Sequence, residues 1–299
     1  MELKADLKGD LQVPNPMAKD DSTIAVGAQV QATGTLATEA AQIDVKALAV
    51  AAPESASGKK QSAEPMHADV QASIKPWQSM PLHTALASLK NVDVAAFWPE
   101  GPRTMLSGDL KAGPVAEGNA PATGDQWALQ AQFKNTMRGA WDKQRLPLDA
   151  VTADVLYTGK QWQIKEAHID VAKGRIAANG YFEPETKVFE GNAKVEQLNP
   201  ADLYSTLDAA PLQGTLSAKA DAAQKVAFEA DLKAAGPAPR VGSKALRIQT
   251  LAAKGEWQQP VLTLSNVKVE ALQAAINASA VKYNVDQQDA QVKLKAEVP

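Results

Sequence analysis

Cysteine is missing altogether from the 299 residues. Disulfides, thiolate metal sites and cysteine nucleophiles are excluded, although the absence does not fix the redox compartment. Aromatic residues make up only 5%, so any core must be a thin one of alanine, valine and leucine. Charge of one sign is lacking as well. There are 31 Lys and Arg against 34 Asp and Glu, a formal net charge of −3. Without a basic block, nucleic-acid binding is not expected. No run approaches the roughly 20 apolar residues of a membrane span, and Ala47 to Ala52 is far too short. Met1-Glu2-Leu3-Lys4 opens without the charged and apolar regions of a signal peptide.

What the sequence does have is alternation. From Leu148 to Asn199, Val151, Ala153, Val155 and Tyr157 alternate with Thr152, Asp154 and Leu156. Trp162 and Ile164 alternate, and Ile169 and Val171 resume the pattern after Glu166. Ile176 and Ala178 follow a turn expected at Lys173-Gly174, and Val188, Ala193 and Val195 come after Glu183-Pro184-Glu185. A period of two sends one set of side chains to one face of a sheet and the other set to the opposite face. One face should therefore be apolar, and the other should carry the Lys, Glu, Asp and Gln. Earlier strands are expected near 3–13, 24–38, 43–50, 66–74 and 82–89, with a corner at Lys75-Pro76-Trp77. Both ends fall inside strand pattern, which points to a piece of a longer chain.

Short helices are expected at Asn91 to Trp98 and Asn199 to Leu207. Asn91 and Asn199 are read as caps, Pro99 and Gly101 as stops, Pro200 as the first helical residue, and Asp202 as first-turn acid. Each leads into a Gly-x-Leu strand, at Gly108-Asp109-Leu110 and Gly214-Thr215-Leu216. The element also occurs at Gly9-Asp10-Leu11 and Gly34-Thr35-Leu36. Trp127 to Phe133 parallels Val226 to Leu232, and Gly159-Lys160-Gln161-Trp162 parallels Gly255-Glu256-Trp257. The expected units are 1–90, partial and holding a loop at 51–65, then 91–198 and 199–299. Such repeats are quasi-one-dimensional, each unit touching chiefly its neighbours. About 18 to 20 strands at ~4.8 Å each would span on the order of 90 Å.

No catalytic constellation emerges, and neither enzyme activity nor a cofactor is expected. His67, His83 and His168 sit in separate strands without metal-ligand spacing. Gly58-Lys59 lacks the first glycine and the Ser or Thr of a phosphate loop, with Pro53 and Lys60 in those places. Asp20-Asp21 and the Glu183, Glu185 pair fall in turns. Nucleophile-elbow and dinucleotide-glycine patterns are missing. Asn277-Ala278-Ser279 is a formal glycosylation acceptor. The six tryptophans fall mostly near strand starts and turns, where they would plug the ends of a thin apolar layer or meet a ligand or membrane.

An apolar sheet face either closes on itself as a sandwich or stays bent as a groove. Moving a methylene out of water contributes about 0.8 kcal/mol, so an acyl chain of about 16 carbons would gain on the order of 12 kcal/mol before ordering costs. The groove candidates are Val151, Val155, Ile164, Ile169, Val171, Ile176, Val195, Leu262, Leu264, Val267, Val269 and Ile276. The sequence does not say which face would be concave.

Three stretches resemble the TamB family of bacterial envelope proteins and its AsmA-like relatives. They are Leu198-Asn199-Pro200-Ala201-Asp202-Leu203 with Leu212-Gln213-Gly214-Thr215-Leu216, then Gly139 to Leu148, and Gly174 to Gly180. The resemblance covers about 91–299 well and 1–90 weakly. It implies an all-β, elongated, U-shaped (taco-like) sheet with an apolar groove and short helical turns. It also implies a periplasmic segment of a Gram-negative protein anchored in the inner membrane, and transport of phospholipid towards the outer membrane. An outer-membrane barrel, TamA, is the implied partner, met by a part of the protein outside this segment. The rival expectation is a chaperone-like scaffold whose strand edge pairs with unfolded outer-membrane proteins or autotransporters. A third class, a β-helical polysaccharide enzyme, would need clustered carboxylates, and none is seen.

Overall fold

Alternating side chains are realised as antiparallel strands, each paired with the next in the chain. The computed structural model describes residues 1–14, 23–37, 40–51, 65–78, 81–98, 100–115, 126–207, 209–236, 248–271, 274–287 and 289–297. Gly58-Lys59, Asp20-Asp21 and most of the loop expected at 51–65 lie outside these residues. The chain divides into two compact units, Met1–Gly159 and Lys160–Pro299.

The first unit holds β1 (Glu2–Pro14), β2 (Thr23–Thr35), β3 (Gln42–Ala51) and β4 (Met66–Ile74). It continues with β5 (Leu82–Val92), β6 (Leu106–Pro114), β7 (Trp127–Asn135) and β8 (Ala150–Tyr157). Consecutive strands pair antiparallel throughout. The second unit holds β9 (Trp162–Val171), β10 (Gly174–Phe182), β11 (Phe189–Leu198), α1 (Pro200–Leu203) and β12 (Leu212–Ala220). Then come β13 (Val226–Ala234), β14 (Ile248–Gln258), β15 (Val261–Ala271), β16 (Ala274–Asn284) and β17 (Asp289–Glu297). These too pair in sequence order. The fold class is all-β, as the alternation predicts. Where the connection is two residues, as between β9 and β10 or β14 and β15, an antiparallel neighbour is the accessible pairing.

Strict alternation fails inside β9, where Ile164 and Ile169 have opposite parity. There Ala178 of β10 faces Ala167, whereas Gly180 faces Ile164. The extra residue of β9 is a bulge, which returns Trp162 and Ile164 to the face of Ala167, Ile169 and Val171. In β15 the partners of Lys254 and Gly255 are Asn266 and Leu264. That shift puts Leu262 and Leu264 on the face of Val267 and Val269.

β5 and β11 end alike. Asn91 has φ +56° and Gln197 φ +52°, in bulges between Leu89 and Val92 and between Val195 and Leu198. Asn91 is therefore not the helix cap that the sequence reading expects. Its left-handed backbone, which Asn tolerates well, makes the bulge, and the capping passes to Asp93. The Asp93 carboxylate accepts from the Ala95 N–H at 3.2 Å and the Thr104 N–H at 2.9 Å. The Asn199 side chain accepts from the Ala201 N–H at 3.4 Å and the Ala210 N–H at 3.1 Å. Each cap thus ties the start of its insert to the chain that leaves it. The first insert is only a 3₁₀ turn, Val94–Ala96. The second, α1, has Pro200 first and Asp202 in its first turn, as expected, but stops before the extended Tyr204 rather than at Leu207.

The hairpin between β9 and β10 differs from expectation in one detail. Its left-handed residue is Ala172, at φ +52°. Gly174 is already paired with Val171, and glycine is needed there because a Cβ would lie 2.7 Å from the Leu198 Cα. Val188 lies in the turn before β11, where its carbonyl accepts from the Glu183 N–H at 2.8 Å.

Three of the four Gly-x-Leu elements share a close approach. A Cβ on Gly34, Gly108 or Gly214 would run into the carbonyl oxygen of Gln42, Gln132 or Asp231, respectively. Partner Cα atoms would lie 2.8 Å away at Ile43, 2.7 Å at Phe133 and 3.0 Å at Leu232. Gly9 has nothing within 4 Å. Glycine inside a strand marks tight bends and close backbone approach.

Replacing Gly214 by valine is expected to destabilise the second unit by about 3 kcal/mol or more, beyond ordinary overpacking, because the obstacle is backbone. Gly9→Val should change little, and equal melting temperatures for the two variants would refute the close approach. Asn199→Ala should cost about 1–2 kcal/mol through loss of the cap, with hydrogen exchange accelerated at the Ala201 and Ala210 amides; unchanged exchange at Ala210 would refute the tie.

Candidate apolar binding face

Directly opposed residues in antiparallel strands share a face, so register traces each face from strand to strand. In the second unit one row runs Ile169, Ile176, Val195, Gly214, Leu232, Leu251, Val269, Ile276. Two residues along lies Ala167, Ala178, Ala193, Leu216, Ala230, Ala253, Val267, Ala278. Then comes Ile164, Gly180, Gly191, Ala218, Phe228, Gly255, Leu264, Val281. The last row is Trp162, Phe182, Phe189, Ala220, Val226, Trp257, Leu262, Tyr283. No position in these four rows carries a charge, and their polar side-chain atoms are the indole N–H groups of Trp162 and Trp257 and the hydroxyl of Tyr283.

The first unit repeats the pattern. Leu7, Val30, Ala47, Val70, Ala87, Leu110, Ala131 and Ala153 make one cross-strand row. Ala5, Ala32, Val45, Ala72, Ala85, Ala112, Leu129 and Val155 make the next. Asn135 and Thr104, both buried, sit at the strand ends and serve the backbone there. The Asn135 side-chain oxygen accepts from the Met105 and Met137 N–H groups, each at 3.1 Å. The Thr104 hydroxyl donates to the Val92 carbonyl at 2.9 Å.

The opposite face holds the charges. Ion pairs cross it from Arg175 to Asp170 (2.8 Å), Lys254 to Glu229 (3.1 Å) and Lys225 to Glu256 (2.8 Å). The hydrogen bond and charge of Lys194 hold the Glu196 carboxyl below its ordinary range, and Lys268 with Thr250 does so for Glu270. Their small contributions are present at neutral pH and fade as acid protonates both groups. His67 and His168 lie on this face, and His168 pairs with Glu166 at 2.8 Å. Hollows of about 850 and 510 Å³ open between its long side chains. Their linings mix amines with carboxylates. Among the described residues no group of His, Asp and Glu could hold a metal ion.

Burial is uneven along the strands. In the second unit Val195, Leu212 and Leu232 form a buried cluster, with Ile176, Leu198, Leu216 and Leu251 packed against it. At the other strand end Trp162 is 36% exposed, Ile164 38% and Phe182 40%. In the first unit Ile24, Ala51 and Met66 cluster beside Ala96 and Phe97 of the first insert.

Of the twelve sequence candidates, Val151 and Val155 belong to β8, opposite Phe133 and Leu129. The other ten register on one face of the second unit. They differ in environment. Val171 and Val195 are core residues, 5% and 1% exposed, whereas Ile164 stands open and Ile169, Leu262, Leu264, Val267 and Val269 are half-buried. Sequence reasoning placed Trp162 and Trp257 near strand starts and turns, as end plugs or as ligand or membrane contacts, but passed over Phe182, Phe189 and Tyr283, which complete an aromatic row with them. Its signal was available: each lies at the first strand position or within one or two residues of a strand's end. Among the described residues no helix is long and apolar enough to cross a membrane. The chain matches no family model, no curated protein and no solved structure.

Proposed function

We propose that the chain is a periplasmic segment of a TamB-like envelope protein whose apolar face holds phospholipid acyl chains in passage between the inner and outer membranes. The observation that carries this reading is the uninterrupted, one-sided apolar face of each unit. A face closed by its own chain would be buried along its whole length. Here Leu7, Leu11, Ile164 and Phe182 keep 38–67% of their surface. Large apolar surface left open marks a binding site.

On this reading each sheet curls into a U-shaped trough with the apolar face inside, and the close approaches at Gly34, Gly108 and Gly214 are where it bends. Many face positions are Ala or Gly, which leave room for a guest. Transport is passive: the lipid slides, no bond is broken, and neither cofactor nor catalytic residue takes part. An outer-membrane barrel of the TamA kind would be met by another part of the protein, and an inner-membrane anchor would hold it at the opposite end.

Photocrosslinking in cells tests the reading. A photoreactive residue at Ile169 should yield phospholipid adducts, and one at the adjacent Asp170, on the charged face, should not. Adducts with unfolded outer-membrane proteins at both positions would favour a chaperone-like scaffold instead. A charge at half-buried Val267 should abolish lipid recovery while circular dichroism keeps its strand signal; undiminished lipid recovery would sink the proposal.

A further inference from the structure

The apolar face of the second unit is polarised along its strands. One end is the aliphatic row containing Ile176, Val195 and Leu232, closed over by the buried cluster around Leu212. The other end is the aromatic row, with Trp162 and Phe182 directly paired and Phe182 in turn paired with Phe189. Trp257 and Tyr283 continue that row across the sheet, both opposite Leu262. Beyond it lie turns of mixed charge. Lys160, Glu185 and Lys187 are exposed in these turns, and Glu183 accepts from the Thr186 hydroxyl at 3.0 Å.

Aliphatic, aromatic, then mixed charge is the order of a membrane interface, where Trp and Tyr place a polar edge in water and a ring in hydrocarbon. The mixed charges complement a zwitterion, since amines can face its phosphate and carboxylates its ammonium. The dimensions agree. Phe182 and Ile176 are six residues apart on one strand, roughly 20 Å at ~3.3 Å per residue. One leaflet's hydrocarbon is about 15 Å deep, half of the bilayer core.

We propose that a two-chain phospholipid lies on the second unit with its headgroup at the aromatic row and its acyl chains running along the strands towards the aliphatic row. The aromatic row then sets orientation, and the buried cluster walls off the far end, so that the chain ends stop over the part-buried row of Ala178, Ala193 and Leu216. This assignment rests on the acyl-binding reading above but goes beyond it, since a face could hold acyl chains in any direction.

The test uses the full chain and phosphatidylcholine vesicles doped with a photoreactive phosphatidylcholine. The diazirine sits next to the glycerol in one probe and at the chain terminus in the other. Peptide mapping should place glycerol-end adducts on residues 180–190 and 255–264, and chain-end adducts on 192–194 and 215–217, with a bias of roughly fivefold each way. Trp162→Ser together with Trp257→Ser should bring both probes to an even distribution while total adduct is retained. An even or reversed distribution on the unaltered protein would overturn the orientation and leave acyl binding standing. Absence of adducts from both probes would overturn the acyl-binding reading and the orientation with it. Unchanged bias in the double variant would remove the aromatic row from the assignment.

Discussion

Everything in this fold depends on keeping side-chain parity across many consecutive strands. A one-residue slip turns a strand's apolar set to the charged side, and in a meander the error would pass to every later strand. The chain corrects parity locally. The bulge opposite Ala178 and Gly180 keeps Trp162 and Ile164 in line with Ile169. The shift at Lys254 and Gly255 does the same for Leu262 and Leu264 relative to Val267 and Val269. At the ends of β5 and β11, left-handed Asn91 and Gln197 bring Val92 and Leu198 back to the apolar side. Without these corrections the charged side chains of β9, β11 and β15 would break into the apolar face. Burying one of them unpaired would cost more than a strand of alanines can return.

The inserts act on the same constraint from outside the sheet. Asp93 and Asn199 each accept from a backbone N–H in the insert and from another at its exit, so one side chain closes each connection. Closure matters because the insert folds over the strand ends. Ala96 and Phe97 pack against Ile24, Ala51 and Met66, and Ala210, 3% exposed, sits beside Leu212 at 4%. The well-buried side chains of the second unit are concentrated at that end. The buried core is therefore local to strand ends, and the middle of the face is held by backbone pairing more than by packing.

Strands were legible in the sequence because their period is two and their turns are rich in Gly, Pro and charged pairs. The apolar set was legible too, including the resumption after Glu166. What could not be read was backbone conformation at single residues. Asn91 looks like a cap because Asn is a good one, yet the same tolerance of left-handed φ suits it to a bulge, and Asp93 two residues on caps equally well. Lys173-Gly174 looks like a turn because glycine usually supplies the positive φ. Here Ala172 supplies it, and Gly174 is required by the Leu198 backbone instead. Burial was equally illegible. Val195 looks like Ile164 in the sequence, and only the cluster with Leu212 and Leu232 makes it core.

Thinness is the last consequence of that composition. A face of Ala, Gly and Val offers little area per strand, so self-closure gains little. At about 25 cal/mol per Å², two layers of alanine brought together recover far less than two layers of leucine would. On the proposed function an acyl chain would change that balance, because it would supply the methylenes that the small side chains lack. The aromatic residues are few, and in the second unit five of the eight stand in one row. Scarcity of aromatics in the rest of the face and their concentration at one strand end are the same design. On the proposed reading the face stays open because it is thin, and it has a direction because the large rings of the second unit's row stand together.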